Sequence, residues 1–256
     1  MNPIKALAIN TYNAANKGRS MKRTIMNIYN FVGQKYLNPI LNLEQKKRPF
    51  PIINERPVEY SFSFKHLQKL CSGKLLDIGP GKSSWPHILS TCGYDVTAID
   101  KIEGYWSSYF NRHYKIINDD ITDPKLKGTF QFATCLSVLE HIPDHQLAMR
   151  NIHRLLDKNG YLLLSFPYNE NEYHEDIYKH PSAGYGKGSN FITQVYSRKE
   201  IDKWLNDTSF KIIDQEYYKI FEGEYWTFGE RISPSVKVEN TELHHITCIL
   251  LKKIDD

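Results

Sequence analysis

The run Leu75-Leu76-Asp77-Ile78-Gly79-Pro80-Gly81-Lys82-Ser83-Ser84 places a short apolar strand directly before two glycines and the start of a helix. Gly79 and Gly81 let the backbone turn sharply and approach a ligand, and the helix start beyond them presents unpaired amides, which suits a nucleotide-bearing ligand. Asp100 closes the next strand pattern, Asp95-Val96-Thr97-Ala98-Ile99, about twenty residues after the glycines, where a carboxylate can accept hydrogen bonds from both ribose hydroxyls. A third segment, Thr134-Cys135-Leu136-Ser137-Val138-Leu139-Glu140-His141-Ile142, sets an acid and a histidine just past another strand. Histidine is the side chain whose ordinary pKa suits proton removal at neutral pH. His141 is therefore the candidate general base, the competing role being a helix-start residue that shapes the pocket. Glu140 would orient the base or the cofactor.

These residues need a scaffold of strands whose ends meet. Candidate strands lie at Lys74–Ile78, Asp95–Ile99, Tyr114–Asn118, Phe130–Leu136 and Tyr161–Phe166, with two more near Phe210–Tyr218 and His244–Lys252. Helical segments are expected at Phe62–Cys71, closed by Gly73, and at Ser84–Cys92 and Asp144–Leu156. Ser197-Arg198-Lys199-Glu200 has capping-box spacing and should start a helix running to about Asn206. Short apolar runs alternating with helices point to a parallel α/β sheet.

Two long segments interrupt this pattern, and such segments in a compact domain usually serve as lids or binding loops. Pro167–Val195 contains Tyr168, His174, Tyr185 and a glycine-rich run, Gly184-Tyr185-Gly186-Lys187-Gly188. Phe221–Asn240 contains Tyr225, Trp226, Phe228 and Arg231. Tyrosine and tryptophan offer flat faces for a sugar or an aromatic ring, and Arg231 could pair with an acidic group, against a bland reading in which these aromatics pack locally. Tyr168, His174, Tyr185, Trp226 and Arg231 are the candidate acceptor-binding residues. His174, Glu175 and His180 match no standard ligand spacing, so no metal is expected.

Together these segments resemble the class I S-adenosylmethionine-dependent methyltransferases, in particular the small-molecule branch, over roughly Leu67 to Lys253. The resemblance implies S-adenosylmethionine as cofactor, its methionine end held by the first motif through Asp77, Gly79 and Gly81. Ser83 stands where the family often has a third glycine. Asp100 takes the ribose position. Ile117-Asn118-Asp119-Asp120-Ile121 resembles the adenine-contacting segment, with Asp120 preferred over Asp119 and the Ile121 amide beside it, and the backbone around Leu136 would also meet the cofactor. The implied fold is a Rossmann-like, mostly parallel seven-stranded α/β sheet of order 3-2-1-4-5-7-6, its last strand antiparallel, with helices on both faces. A dinucleotide-binding dehydrogenase would also use two glycines and a downstream acid, yet it leaves Glu140-His141 and the acid pair without a role.

Length and charge set the surroundings. The chain has 256 residues, 41% of them hydrophobic and 24% charged, which fits one large domain with appendages, residues 61–256, following a basic arm at 1–60. Residues 1–50 hold nine Lys or Arg against the single acid Glu44, a local charge of +8, while the remainder carries −4. Residues 1–20 read as loosely ordered. Thr24–Leu37 reads as a basic amphipathic helix that packs on the main domain, covers the substrate site or lies on a membrane surface, with Pro39, Pro49, Pro51 and Pro57 breaking the chain beyond it. No apolar run is long enough to cross a bilayer and no signal-peptide pattern appears. Four scattered cysteines without a Cys-x-x-Cys pair suit a reducing cytoplasm. The expected reaction is methylation of an oxygen, or less readily a nitrogen, of a small or medium polar acceptor such as a sugar or glycan precursor. The alternatives are an RNA methyltransferase that uses the basic arm to hold nucleic acid, and a cofactor-binding protein without transferase activity.

Overall fold

The computed structural model describes residues 3–46, 53–70, 72–102 and 111–254, with side chains in the first stretch described for residues 21–43. Cys71, Pro49 and Pro51 lie outside the described residues. The chain forms two compact units, Met1–Ile52 and Ile53–Asp256.

The first unit is one long helix, α1 (Pro3–Lys46). Residues 3–20 therefore do not form the loose segment expected from their polarity. Pro3 suits the first helical position, where its missing N–H costs nothing, and Ala6, Ala8, Ala14 and Ala15 are strong helix formers. Pro39 is accommodated inside the helix rather than ending it.

The second unit opens with α2 (Arg56–Leu67), which starts six residues before the expected Phe62–Cys71, because Pro57 serves its first turn, and ends at Leu67. Then come β1 (Lys74–Ile78), α3 (Trp85–Thr91), β2 (Asp95–Asp100), β3 (Ile116–Asn118), β4 (Phe130–Leu136), α4 (His145–Leu155) and β5 (Leu156–Pro167). The chain closes with α5 (Arg198–Asp207), β6 (Phe210–Phe221), β7 (Arg231–Val238) and β8 (Ile246–Lys253). The sheet order is β3-β2-β1-β4-β5-β8-β6-β7. Strands β1 to β5 run parallel, and β8 lies antiparallel between β5 and β6. This is the expected order with β8 in the position of the expected strand 7 and one strand added: β7, at the edge beside β6, occupies part of the segment expected to be an aromatic loop.

Two apolar layers sandwich the sheet. One packs Met149, Ile152 and Leu155 of α4 and Trp204 of α5 against Leu76, Ile78 and Leu164. The other packs Phe62 and Leu67 of α2 and Trp85 and Leu89 of α3 against Leu75, Leu163 and Leu250. Strands covered on both faces are largely apolar, and β1 and β4 are buried apart from Lys74 and Gln131, with Asp77 and Thr134 as their buried polar positions. Asp144 caps α4 by accepting from Leu147 N at 2.9 Å, and the Ser197/Glu200 capping box forms as its spacing predicts. Both helices are thereby fixed behind the strand ends that carry the site.

Candidate active site

The glycine turn links β1 to α3. Gly79 N donates to Ile99 O at 2.8 Å, which ties the turn to β2. At φ +69° a Cβ on Gly79 would lie 2.4 Å from Val138 Cγ1, so only glycine fits. Gly81 (φ +56°) differs, because nothing lies within 4 Å of where its Cβ would stand. Its amide donates to Asp100 Oδ2 at 2.9 Å, so the acid ending β2 already meets the turn. Asn111 Nδ2 holds the carbonyls of Gly81 and Ser83, each at 2.9 Å. Below them Asp77 is buried: Oδ1 accepts from Thr134 Oγ1 at 2.6 Å, Oδ2 has no partner, and burial pushes its pKa up to about 7.

The two adjacent acids after β3 separate cleanly. Asp119 is buried and spends its oxygens on the backbone, Oδ1 accepting from the amides of Asp120 and Lys125 and Oδ2 from Leu126 N. Asp120 is half-buried, bonded to Thr122 and paired with Lys101 Nζ at 3.1 Å, and Thr122 and Lys101 hold its carboxyl below the usual range against the opposing effect of burial. Asp119 builds the turn, and Asp120 is the one presented at its surface. Ile121 is buried behind it, its carbonyl held by Asn151 Nδ2 at 2.9 Å. Open space beside Gly81, the Asp100 carboxylate at that turn and the unpartnered Asp77 Oδ2 fit an adenosyl cofactor carrying an amino-acid end.

Beyond β4 the chain passes through Ser137 (φ 51°) into a short turn, Leu139–His141. His141 Nδ1 lies 2.8 Å from Ile192 O. A carbonyl can only accept, so Nδ1 carries the proton and Nε2 is the basic nitrogen. Burial lowers the pKa of His141, which keeps the ring neutral. Glu140 is fully buried behind it, with Oε1 4.0 Å from His141 Nε2 and Oε2 without a partner, and burial pushes its pKa up to about 8.

Sequence reasoning missed the first turn of α2, which crosses this site. Glu59, fully buried, accepts from Arg56 Nη1 at 2.7 Å, from Ser137 Oγ at 2.5 Å and from Ser165 Oγ at 2.6 Å. Arg56 also donates to Leu136 O at 3.3 Å, so the backbone expected beside the cofactor is held from this helix. Tyr60 stacks on Trp85 at 4.4 Å, with its hydroxyl 3.3 Å from Ser83 Oγ. Glu55 pairs with Arg231 Nη1 at 2.9 Å, joining α2 to β7. No local motif marks these residues, because their partners lie 78 or more positions away for all but Tyr60 and the internal Arg56–Glu59 pair.

The insertions supply an aromatic wall. Phe191 meets His141 edge-on at 5.1 Å, Tyr178 lies 5.9 Å from Phe191, and Tyr185 lies 6.0 Å from Tyr178. Arg231 reaches the Tyr185 hydroxyl at 3.3 Å and lies over the Phe221 ring at 4.9 Å. The structure thus joins Tyr185, Arg231 and His141 along one wall. It does not bring Tyr168 there: that ring is buried in the core layer of α4 and α5, bonded to Glu170 and stacked on His244 at 5.5 Å. Trp226 is buried under Arg231 and Phe221 and supports the wall from behind. His174 faces Tyr225 at 4.7 Å in a separate cluster between the insertions. Among the described residues no cluster of three or more potential metal ligands occurs.

The sheet order, the glycine turn and the acid at the end of β2 define a Rossmann-like nucleotide-cofactor domain with its site at the strand carboxyl ends. A family described as Methyltransferase domain matches residues 45–215. The chain belongs to this family, and its domain is of the class I S-adenosylmethionine-dependent methyltransferases, with S-adenosylmethionine as cofactor. Curated relatives include ubiquinone biosynthesis O-methyltransferases of Pseudomonas aeruginosa, 32% identical over 104 residues (38% of this chain, 45% of the relative), and of Xanthomonas oryzae, 29% identical over 128 residues (46% and 52%). The chain spans about half the length of these relatives. Among solved structures, the 1,6-didemethyltoxoflavin-N1-methyltransferase of Burkholderia thailandensis has a similar fold, with TM-score 0.54 at 16% identity over 88% of this chain and 86% of that one. A methyltransferase of Clostridium acetobutylicum has TM-score 0.52 at 13% identity, covering 85% of this chain and 99% of that one.

Proposed function

We propose that the protein transfers a methyl group to a hydroxyl oxygen of a small, uncharged, hydroxyl-rich acceptor, a sugar or glycan precursor being the class that fits best. When bound, S-adenosylmethionine supplies a methyl carbon on a positively charged sulfur, which an oxygen lone pair can displace in line. The protein's part is to hold the acceptor in that line and to take its proton. His141 does the latter at Nε2, and its Nδ1–H bond to Ile192 O is the observation that carries this reading. Glu140, with its pKa near 8, stays protonated at neutral pH and is not the base.

The charge pattern supports an uncharged acceptor. Arg231 is paired with Glu55 and Arg56 with Glu59, so a phosphate or carboxylate on the acceptor would compete with a carboxylate already in place. The faces of Phe191, Tyr178 and Tyr185 suit the flat side of a sugar ring. Curated relatives named as O-methyltransferases favour oxygen as the accepting atom. The proposed compartment is the cytoplasm, where the free thiols of Cys135 and Cys248 stay reduced.

The test is transfer of labelled methyl to a panel of neutral sugars, nucleotide sugars, catechols and RNA, with the product linkage identified. A neutral sugar methylated through a base-stable ether is the expected result. RNA as the best acceptor, or no turnover beside tight cofactor binding, would refute it. On the accepted substrate His141→Gln should lower kcat by roughly 10²–10⁴-fold with cofactor affinity kept. The wild-type acid limb should fall below the ordinary histidine pKa, since burial lowers that of His141.

A further inference from the structure

Helix α1 leaves large apolar side chains uncovered, most of them along one stripe, with Met26, Phe31 and Leu37 exposed outside it. Ile25, Ile28, Tyr29, Val32, Tyr36 and Leu43 are 47%, 58%, 72%, 47%, 78% and 64% exposed. Their spacing of mostly three and four residues sets them on one side of a helix with about 3.6 residues per turn, and Asn27, Asn30, Gln34 and Asn38 fall on the opposite side. The sequence around the stripe carries nine Lys or Arg against one acid over residues 1–50. No helix among the described residues is long and apolar enough to cross a membrane.

We propose that α1 is a membrane-surface helix that lies along an anionic lipid leaflet, its apolar stripe at the acyl boundary and its lysines and arginines against the lipid phosphates. Both halves of the observation are needed. An exposed apolar stripe wants a low-dielectric partner, while the +8 charge wants an anionic one, and an acidic bilayer surface supplies both at once. A second copy of the helix would cover the stripe but bring the same excess of positive charge against it. RNA would satisfy the charge and leave Ile25, Ile28 and Val32 without an apolar partner. The 44-residue helix is about 66 Å long at ~1.5 Å per residue, long enough to hold several basic side chains within a Debye length of the lipid headgroups.

The experiment is co-sedimentation of the full chain with vesicles of phosphatidylcholine alone and of phosphatidylcholine mixed with phosphatidylglycerol, at low and high salt. Binding to the mixed vesicles that weakens with salt, with little binding to phosphatidylcholine, is the expected result. Replacing Lys22, Arg23 and Lys35 together by Gln should weaken partition on the order of 100-fold, at roughly fivefold per charge. Ile28→Asp with Val32→Asp should abolish it. Cofactor titration of each variant checks that the catalytic unit is intact, because these substitutions lie outside Ile53–Asp256. Equal binding to both vesicle types, no binding to either, a dimer dissociated by the apolar substitutions without vesicle binding, or retention by RNA alone would each overturn the proposal.

Discussion

Gly79 and Gly81 stand two residues apart in the same turn, yet alanine at each should fail in a different way. Both glycines have positive φ, so either substitution places an L side chain in the left-handed region at about 1–2 kcal/mol. At Gly79 the new methyl would also stand 2.4 and 2.7 Å from the two methyls of Val138, and overpacking of that kind adds about 1–3 kcal/mol. Gly79→Ala should therefore lose about 2–5 kcal/mol, roughly 4–20 °C in melting temperature at ~2–4 °C per kcal/mol for a domain of this size. At Gly81 nothing lies within 4 Å, so only the backbone cost applies and melting should fall by roughly 2–8 °C. The methyl at Gly81 instead enters the open space beside the turn, where the adenosyl cofactor is placed. Thermal melting beside calorimetric titration of S-adenosylhomocysteine separates the two effects: Gly81→Ala should melt nearer the wild type than Gly79→Ala does and bind at least tenfold more weakly. Wild-type affinity in Gly81→Ala would refute the placement of the cofactor, and a Gly79→Ala protein as stable as Gly81→Ala would refute the packing reasoning.

Glu59→Ala would take an acceptor from the partly exposed Arg56 and from the Ser137 and Ser165 hydroxyls, and leaving a buried hydroxyl unsatisfied costs about 1–3 kcal/mol. Melting should drop by at least ~2 °C, and a variant that melts with the wild type would show that α2 is held by other contacts. Glu140 and Asp77 carry raised carboxyl pKa values, about 8 and about 7, so the folded state binds protons that the unfolded state has released. Their contribution is fully present below the ordinary carboxylate range and is lost as pH rises toward 8. Above the ordinary histidine pKa, where the buried histidines with lowered pKa values no longer act in the opposite direction, unfolding free energy should therefore fall toward pH 8, by at least ~1 kcal/mol for Glu140, and Glu140→Gln should flatten that limb. An unchanged slope in that variant would mean that its carboxyl is hydrated in the folded protein.

Strands, glycine turn and capping box were legible because each is a local pattern: a continuous apolar run, a pair of turn residues, a serine three places before a glutamate. The Asp119/Asp120 ambiguity was not. Which acid is presented at the loop surface depends on Asp119 spending both oxygens on the amides of its own loop, a geometry that residue type does not carry. Glu59 looked like one more polar residue on a short helix, and its partners Ser137 and Ser165 lie 78 and 106 positions away. Strand β7 escaped notice because Pro234 and its mostly polar or half-exposed positions, Arg231 to Val238, carry no buried alternation; an edge strand needs none. Tyr168 and Trp226 show the reverse error. Aromatic residues in long insertions suggest a binding face, yet these two are buried, one in each core layer. Burial, unlike residue type, depends on where the chain returns.

The most direct test is calorimetric titration of S-adenosylmethionine and S-adenosylhomocysteine into the wild type and Asp100→Ala, with NADH as control. Asp100 meets the glycine turn through Gly81 N at 2.9 Å, and the ribose is assigned to that carboxylate. Micromolar binding of both sulfur ligands, weakened at least tenfold in Asp100→Ala and matched by no binding of NADH, is the result the account predicts, since removing a charged hydrogen-bond acceptor costs about 1.5–3 kcal/mol. Binding of NADH in place of both, or equal affinity in the two proteins, would contradict it.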